Sequence, residues 1–449
     1  MTILRQLTAR RTEMSLLIMS AVLIAVLLVN LELSQGNAIT TEMLWVIGGF
    51  IGIFTIAHLA LCVLAPKADQ VMLPVTSVLN GLGLVMIYRL DLATSAGLVN
   101  RQILWSLVGI ALMIGVLVIL PDYRVLTRYS YILGLVGLIL LALPLVWPTS
   151  FDADARIWIS IGSFSLQPGE FSKILLLLFF AQLLVSKRAL FTVAGYRFLG
   201  MEFPRLRDLA PVLAVWAFAI LIMAGANDFG PALLLFATVL GMVYLATGRT
   251  SWLLIGVVLI AIGAVGLYFL SDKIQERVAY FLDPTSGYQL SMGLFGMSFG
   301  GITGTGIGQG YPYLVPVAES DYILAAIGEE LGFVGLSAIL LLFTIFITRG
   351  FRVAMQAKDS YGTLLAAGLS LTIAVQVFVV GGGITALLPM TGLTTPFMSQ
   401  GGSSLMANYV LLGLILRISH IARAPQEELP APASMQHTGQ IRIVEGGTR

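Results

Sequence analysis

The length, composition and charge of the chain exclude an ordinary soluble protein. Of its 449 residues, 58% are hydrophobic and only 11% are charged, whereas soluble domains carry about a quarter charged residues. The net charge of +2 excludes a strongly basic nucleic-acid-binding protein. The single cysteine, Cys62, excludes an internal disulfide, and the three scattered histidines argue against a His-based metal centre.

Twelve apolar runs predict twelve membrane-spanning helices. A hydrocarbon core about 30 Å thick needs roughly 20 apolar residues per helix, and these runs do not alternate as the strands of a membrane barrel do. We therefore predict an all-α, polytopic membrane helix bundle. The runs lie at residues 15–31, 43–64, 71–88, 103–120, 130–147, 171–186, 208–225, 230–247, 251–270, 322–348, 362–383 and 401–417.

The basic residues predict that both termini are cytoplasmic. If the first connection faces outward, the inner flanks carry 17 Lys and Arg residues, which satisfies the positive-inside rule. The outer flanks carry only five, namely Arg89, Arg101, Arg156, Lys273 and Arg277. The first run follows three arginines. We interpret it as a retained anchor, because it is long for a signal peptide and lacks a small-x-small cleavage site.

Two outer connections, at 148–170 and 271–321, are long enough to hold chemistry. The second contains six glycines between positions 300 and 310, yet it lacks the Gly-Lys-Ser/Thr ending of a nucleotide-binding loop. We interpret this stretch as a flexible or re-entrant loop. The tail at 424–449 is polar and contains prolines, so we expect it to be disordered.

Ionisable residues near the outer ends of the spans predict a polar pocket. Such groups are costly at membrane depth and normally face a wet cavity or each other. Glu170 and Lys173 are one turn apart at the start of the sixth span and could form an ion pair. Arg156 precedes them, and Asp228 lies in a tight connection where a turn or cap role is equally compatible.

Three further acidic residues belong to the same outer region. Glu329 and Glu330 lie about eight residues into the tenth span. Because adjacent side chains on a helix point about 100° apart, one should face the bundle and the other should pack or cap. Asp283 precedes a proline on the second long connection, where a simple turn is the ordinary interpretation. Together these charges predict a water-filled pocket between helices.

Six segments form recognisable motifs, among them Phe-Leu-Asp-Pro at 281–284 and Gly-Glu-Glu-Leu-Gly at 328–332. They resemble signatures of the SEDS family, the shape, elongation, division and sporulation proteins represented by RodA and FtsW. The resemblance covers roughly residues 71–418, with the motifs in the expected order and spacing. The matching segments are 164–173, 227–230, 281–284, 287–290, 320–335 and 391–404.

The resemblance implies a bacterial plasma-membrane peptidoglycan glycosyltransferase that polymerises lipid II into glycan strands. Its implied partners are lipid II, the lipid-linked glycan and a class B penicillin-binding protein, with no nucleic acid. The ten helices of the family map onto 71–423, after a cytoplasmic N-terminus at 1–14 and two additional helices at 15–70. Such an N-terminal pair is similar to actinobacterial RodA-like members, so we favour a role in elongation over an FtsW-like role in division.

The resemblance also implies site residues. Asp283 matches the catalytic aspartate of the family, and the other matches are expected to bind substrate. The sequence departs from the family pattern at Gly169, Asn227 and Gln400 and in the short stretch at 284–287, which bears on the position of Asp283. The expected substrate-binding residues are Arg156, Glu170, Lys173, Asp228, Asp321, Glu329, Glu330, Ser399, Gly401, Gly402 and Ser403.

Joining two lipid-linked disaccharides needs a base for a sugar hydroxyl and positive charge for the departing diphosphate. We expect Asp283 to be the base, in a single inverting displacement, and Arg156 and Lys173 to bind the diphosphate. A divalent cation, Mg²⁺ or Mn²⁺, could assist through Asp283 and Asp228. Two alternatives remain at this stage: a transporter or flippase that moves the lipid-linked precursor, and a non-catalytic scaffold for a transpeptidase.

Overall fold

The computed structural model describes most of the chain as apolar helices. Ten of the helices in the described part are long and apolar enough to cross a membrane, and Ser130–Val146 is a shorter apolar helix. The described residues are 10–147, 157–161, 164–188, 196–198, 201–203, 214, 217–218, 221–222, 225 and 230–424.

Eleven of the twelve predicted spans coincide with these helices. The seventh, at 208–225, lies largely outside the described residues, as does the predicted disordered tail. The all-α prediction is confirmed, since the only strands among the described residues form two short antiparallel hairpins. The helices are α1 (Arg11–Ser34), α2 (Thr41–Leu64), α3 (Met72–Thr94), α4 (Leu98–Ile119), α5 (Val125–Arg128), α6 (Ser130–Val146), α7 (Pro168–Ser186), α8 (Gly230–Thr247), α9 (Ser251–Leu270), α10 (Asp272–Leu282), α11 (Tyr288–Gly300), α12 (Ile323–Gln356), α13 (Ser360–Ile384) and α14 (Gly402–Ala422), and the strands are β1 (Ile159–Ile161), β2 (Phe164–Leu166), β3 (Tyr196–Phe198) and β4 (Met201–Phe203).

The centre of the bundle is formed by α3, α13 and α14, whose spans are the most buried. The two N-terminal helices pack against this centre through α3. Gly81 of α3 makes that packing close, because a Cβ atom there would lie 2.4 Å from Ile24 of α1 and 3.1 Å from Phe50 of α2. Small residues allow such close helix packing in membranes.

An ion-pair network around Asp69 closes one end of the bundle. The Asp69 carboxylate accepts from Arg349 at 3.4 Å and from Arg423 at 2.9 Å, and its backbone N–H donates to Ser419. Arg10, fully buried, donates to the carbonyls of Ala65 and other residues of the connection leading to α3. The predicted topology places this Asp69 end in the cytoplasm and the opposite end, which carries Asp283, outside.

The long connection at 271–321 is folded rather than extended. It contains α10, α11 and two single 3₁₀ turns. Between α11 and the second turn lies the stretch of residues 300–310, hereafter the glycine-rich loop. Gly301, Gly304, Gly306 and Gly308 all have positive φ, a conformation that residues with a Cβ rarely adopt. These glycines therefore shape a defined loop.

The glycine-rich loop fills a break in α12 at Gly332, whose φ is 65°. The carbonyls of Glu329 and Glu330 accept from the N–H groups of Thr305 and Gly306, each at 3.0 Å. Just past the break, two N–H groups donate back to loop carbonyls at 2.9 and 3.1 Å. The loop thus satisfies backbone groups that the broken helix would otherwise leave unpaired inside the bundle.

A candidate active site at the Asp283 end

Lys173 and Glu170 form a buried ion pair on the first turns of α7. Their charged atoms lie 2.6 Å apart, and neither side chain is more than 8% exposed. Lys173 Nζ also donates to Gln376 Oε1 of α13 at 3.3 Å. Pairing and hydrogen bonding are what allow such charges to be buried. The pairing expected from their spacing is therefore present, and it joins α7 to α13.

The segment of residues 391–404 connects this pair to the rest of the site. Gln376 Nε2 donates to the Thr394 carbonyl at 2.7 Å. Ser399 Oγ donates to the Ser320 carbonyl at 2.6 Å, and Ser403 Oγ accepts from the N–H of Gln167 at 2.8 Å. The segment is thus tied to three elements, namely α13, the start of α12 and the start of α7.

The two predicted glycines stand where this segment enters α14. Gly401 is the N-cap residue of the helix, and a Cβ there would meet only Thr394 and Ser404, at 3.4 and 3.7 Å. A Cβ at Gly402 would lie 2.6 Å from the ring of Trp105. Both therefore contact protein groups, and Gly402 is required for close packing.

Arg277 and Asp321 flank the other end of the 391–404 segment. Arg277 Nη1 donates to the Thr391 carbonyl at 3.2 Å. A Cβ on Gly392 would lie 3.3 Å from Arg277 Nη2 and 3.6 Å from Asp321 Oδ2, so the two charged groups are neighbours. Burial raises the pKa of the Asp321 carboxyl, while hydrogen bonding from Ser320 and the charge of Arg277 oppose that shift.

Asp283 is exposed and directly follows α10, the helix that carries Arg277. Its Oδ1 accepts from the N–H of Thr285 at 3.1 Å and from the Thr285 hydroxyl at 2.5 Å, which fixes the side chain on the following 3₁₀ turn. Among the described residues, none donates to Oδ2. One carboxylate oxygen of Asp283 is therefore oriented by the protein and the other is available.

One series of contacts leads from Arg277 to Lys173. Asp283 directly follows α10, the helix that carries Arg277, and Arg277 contacts the 391–404 segment at Thr391. Thr394 contacts Gln376, which contacts Lys173. Glu170 and Lys173 bring charges of both signs together at one end of this series, and the gathering of the remaining charges stays a prediction. Arg156 and Asp228, which we also expected here, lie outside the described residues.

Glu329 and Glu330 are both buried, and both bind the glycine-rich loop or the turn after it. Glu329 Oε1 accepts from the N–H of Tyr311 at 2.5 Å. Glu330 accepts from Arg89 Nε and from the N–H of Gly308, each at 3.0 Å. Both carboxylates therefore reach the same neighbouring segment, and the expected division of roles between them stays a prediction.

An apolar cavity of about 350 Å³ opens between α8, α9 and α10. Apolar side chains such as Phe236, Leu259 and Val278 line it, and Arg277 is its one charged residue among those described. The lining residues of α8 belong to the half of that helix nearest the Asp283 end, and those of α9 extend from its middle towards that end. The cavity is therefore apolar, and the guanidinium of Arg277 at the candidate site forms part of its wall.

No group of three or more His, Cys, Asp or Glu side chains in the described part of the chain could hold a metal ion. One of the two expected ligands, Asp228, is outside that part. The cation contribution expected from the sequence stays a prediction.

Sequence reasoning missed Gln376 and assigned Arg89 and Arg277 only to the outer flanks. An amide in the middle of the apolar run at 362–383 is itself a signal, because polar groups inside membrane helices normally have a partner. The spacing of Ile274 and Val278 places both on one face of a helix. This spacing is a signal that α10 is amphipathic, with Arg277 beside its apolar face. The pairing of Arg89 with Glu330, 241 positions away, had no local signal.

The fold and site define a polytopic membrane protein with a polar cluster at one end and an apolar cavity beside it. Residues 69–424 match the model of the FtsW, RodA and SpoVE family of cell cycle proteins. The chain belongs to this family, and the predicted resemblance is confirmed. It is a multi-pass protein of the bacterial plasma membrane.

Relatives and solved structures agree with that assignment. The chain is 48% identical over 451 residues to the peptidoglycan glycosyltransferase RodA of Mycobacterium tuberculosis, covering 98% of this chain and 96% of the relative. It is 31% identical to the stage V sporulation protein E of Bacillus subtilis, over 79% of this chain and 98% of that one. Among solved structures, the chain resembles one from a study of how a peptidoglycan synthase complex coordinates polymerization and crosslinking. The TM-score is 0.65 and the identity 26%, and the match covers 80% of this chain and 99% of that one.

Proposed function

We propose that this protein is a peptidoglycan glycosyltransferase that polymerises lipid II on the outer face of the plasma membrane during cell elongation. The observation that carries the proposal is the near full-length similarity to relatives named peptidoglycan glycosyltransferase RodA. The physical support is the contact series from Arg277, on the helix that Asp283 follows, to Lys173, beside an apolar cavity.

In the proposed reaction Asp283 is the general base. Its available Oδ2 takes the proton of the acceptor sugar hydroxyl. The hydroxyl oxygen of the acceptor then attacks the anomeric carbon of the donor. The new glycosidic bond forms as the bond from the anomeric carbon to the lipid diphosphate breaks, and the diphosphate leaves with the bonding electrons. A single displacement of this kind inverts the anomeric centre. Thr285 holds Oδ1 and thereby orients the carboxylate.

Arg277 is the described cation best placed to meet the charge of the departing diphosphate. It lines the apolar cavity. Among the described residues it donates one hydrogen bond, to the Thr391 carbonyl, so other donors of its planar fork can bind phosphate oxygens. Lys173 would have to leave the buried Glu170 carboxylate to bind phosphate. We therefore propose that Lys173 supports the site through Gln376 and the 391–404 segment, and that Arg277, together with Arg156, binds the donor.

The cavity between α8, α9 and α10 suits the lipid part of the substrate. Its walls are apolar and it reaches Arg277, so a polyprenyl chain inside it would carry its diphosphate towards that guanidinium. Because the bilayer core is as apolar as the cavity walls, packing against those walls and the charge of Arg277 would hold the chain in place, and removal from water would not. The sugars would then lie near Asp283, which directly follows the helix that carries Arg277.

A divalent cation, Mg²⁺ or Mn²⁺, would be held mainly by the substrate diphosphate and by Asp228, because the available oxygen of Asp283 acts as the base. Mg²⁺ is commonly held by one or two carboxylates together with substrate phosphates. Comparison of polymer yield with and without a chelator, followed by titration with each metal, tests this part of the proposal.

The partner we propose is a class B penicillin-binding protein anchored by a membrane helix. A second groove, of about 560 Å³, lies between α12 and α13, and no charged residue lines it among those described. Gly381 lines this groove, and a Cβ there would meet nothing within 4 Å; small residues of this kind favour helix packing in membranes. Cysteine cross-linking from Thr385 of this groove to the partner's membrane helix tests the assignment, since Cys62 is the only native cysteine.

The central experiment is polymerisation of purified lipid II by the protein reconstituted with its partner. We expect Asp283→Asn to reduce chain formation at least about 100-fold, in line with loss of a general base, without altering the unfolding midpoint. Asp272→Asn is the matched control, because Asp272 is also an exposed carboxylate on α10. Near-native polymerisation by Asp283→Asn would remove this residue from the mechanism, and lipid transport without polymer formation by the wild type would favour a flippase.

A further inference from the structure

The two N-terminal helices lie outside the part of the chain that defines the family. The family match begins at residue 69, whereas α1 and α2 end before it. Yet the connection between them, residues 35–40, does not stand apart from the site. It contacts the glycine-rich loop directly and through α3.

The direct contacts are reciprocal. The Gln35 side-chain amide donates to the Gly308 carbonyl, and Gln309 Nε2 donates to the Ser34 carbonyl at 3.2 Å. Gly308 has a φ of 79°, and a Cβ on it would lie 2.1 Å from Ser34 Oγ. Only glycine permits both this backbone conformation and this close approach.

The second route runs through two consecutive residues of α3. Tyr88 donates to Glu32, a fully buried carboxylate at the end of α1 that also accepts from Thr40 at 3.1 Å. The next residue, Arg89, pairs with Glu330 and donates to the Gly310 carbonyl at 2.9 Å. The end of α3 therefore joins the helix pair on one side to the glycine-rich loop and α12 on the other.

We propose that the α1–α2 pair is a positioning element of the active site: it clamps the glycine-rich loop and thereby holds the broken start of α12. Asp321 lies just before that start, beside Arg277. A displaced loop would therefore displace the residues that face the donor. The structural part of this proposal is independent of the reaction, and its effect on turnover rests on the proposed function. Gln35 is the residue through which the clamp can be released selectively, because its side chain is exposed.

The first test removes the direct hydrogen bond. Gln35→Ala and Gln35→Glu both lack the amide donor, and the second retains the size of the side chain. Amide hydrogen exchange of residues 304–311, measured on the full chain in lipid nanodiscs, should rise about 5-fold in both variants, the factor expected from one lost hydrogen bond. Exchange at the Asp69 end should not change. Unchanged exchange of the loop in both variants would overturn the clamp.

The second test uses the glycine that touches the helix pair. Gly308→Ala introduces a Cβ against Ser34, whereas Gly306→Ala is the matched control, because its φ is also positive, at 102°, and a Cβ there meets only Gln309. Both variants should suffer backbone strain, but only Gly308→Ala should loosen residues 31–40 in hydrogen exchange. The additional change Ser34→Gly should reduce that loosening, because it removes the closest of the three contacts of the new Cβ; those with Gln35 Nε2 at 3.0 Å and Leu31 Cδ1 at 3.1 Å remain. Equal effects of the two alanines on residues 31–40 would contradict the proposed contact.

The functional arm measures lipid II polymerisation with the same samples. Release of the clamp should lower kcat by between about 5-fold and 100-fold, as expected for misplaced catalytic groups, and leave the KM for lipid II within about 2-fold. A loosened loop with native kcat would show that the clamp does not position the site. A wild-type protein that makes no polymer would instead refute the proposed function, while the exchange measurements still decide whether the clamp exists.

Discussion

Replacement of Arg89 by alanine should be among the most destabilising single changes at this end of the bundle. Its guanidinium lies 3.0 Å from the Glu330 carboxylate, and the two side chains are only 6% and 1% exposed. Without Arg89, Glu330 keeps the N–H of Gly308 as a hydrogen-bond donor but loses its counter-charge. Removing one partner of a buried ion pair costs about 3–5 kcal/mol, because the remaining charge stays desolvated.

The double variant Arg89→Met with Glu330→Leu separates pairing from burial. Since apolar side chains of similar volume often replace a buried ion pair at little or no cost, the double variant should lose far less stability than the sum of the two single variants. The assay is unfolding of the purified proteins by sodium dodecyl sulfate titration in mixed micelles, followed by tryptophan fluorescence. An Arg89→Ala variant within about 1 kcal/mol of the wild type, or strictly additive effects, would refute the assignment of a strongly coupled pair.

Three further changes test other parts of the site. Gly332→Ala should destabilise by more than about 1–3 kcal/mol, since its φ is 65° and a Cβ would lie 2.2 Å from Gly304 N; Gly263→Ala, where a Cβ meets nothing within 4 Å, is the control in the same unfolding assay. Ser403→Ala should cost about 1–3 kcal/mol by leaving the first turn of α7 without its acceptor, and its unfolding midpoint should fall accordingly. Burial raises the pKa of Asp321. The contribution of this carboxyl to the free energy of unfolding should therefore be fully present below the ordinary pKa of 3.8 and lost as the pH rises through the higher folded-state pKa. In unfolding midpoints measured from about pH 4 to pH 8, Asp321→Asn should abolish this dependence of stability on pH.

The class of fold, the family and the activity could be predicted from the sequence because each depends on local or contiguous signals. An apolar run of about 20 residues in lipid has few alternatives to a helix, since its backbone groups must be satisfied internally. The family motifs are likewise contiguous, and the match over residues 69–424 confirms them. The pairing of Glu170 with Lys173 followed from helical spacing alone.

The contacts that organise the candidate site could not be predicted in this way, because they join distant parts of the chain. Arg89 counted only as an outer basic residue, yet it binds Glu330 and the Gly310 carbonyl. The glycine-rich loop was interpreted as flexible or re-entrant from composition, although its glycines provide positive φ and close approach to α12. The sequence shows that these positions lack a Cβ atom. Only the fold shows which neighbouring groups lie where that atom would be.

Burial distinguishes two kinds of charge that the sequence presents as equivalent. Glu170, Lys173 and Glu330 are satisfied by partners inside the protein, so recruiting any of them to substrate would first require breaking a buried pair. Asp283 is exposed and keeps one carboxylate oxygen without a donor among the described residues. Substitutions in the buried pairs should therefore lower stability and polymerisation together. A change at Asp283 should abolish polymerisation while the unfolding midpoint stays that of the wild type, and a shared loss of both would place Asp283 among the structural charges instead.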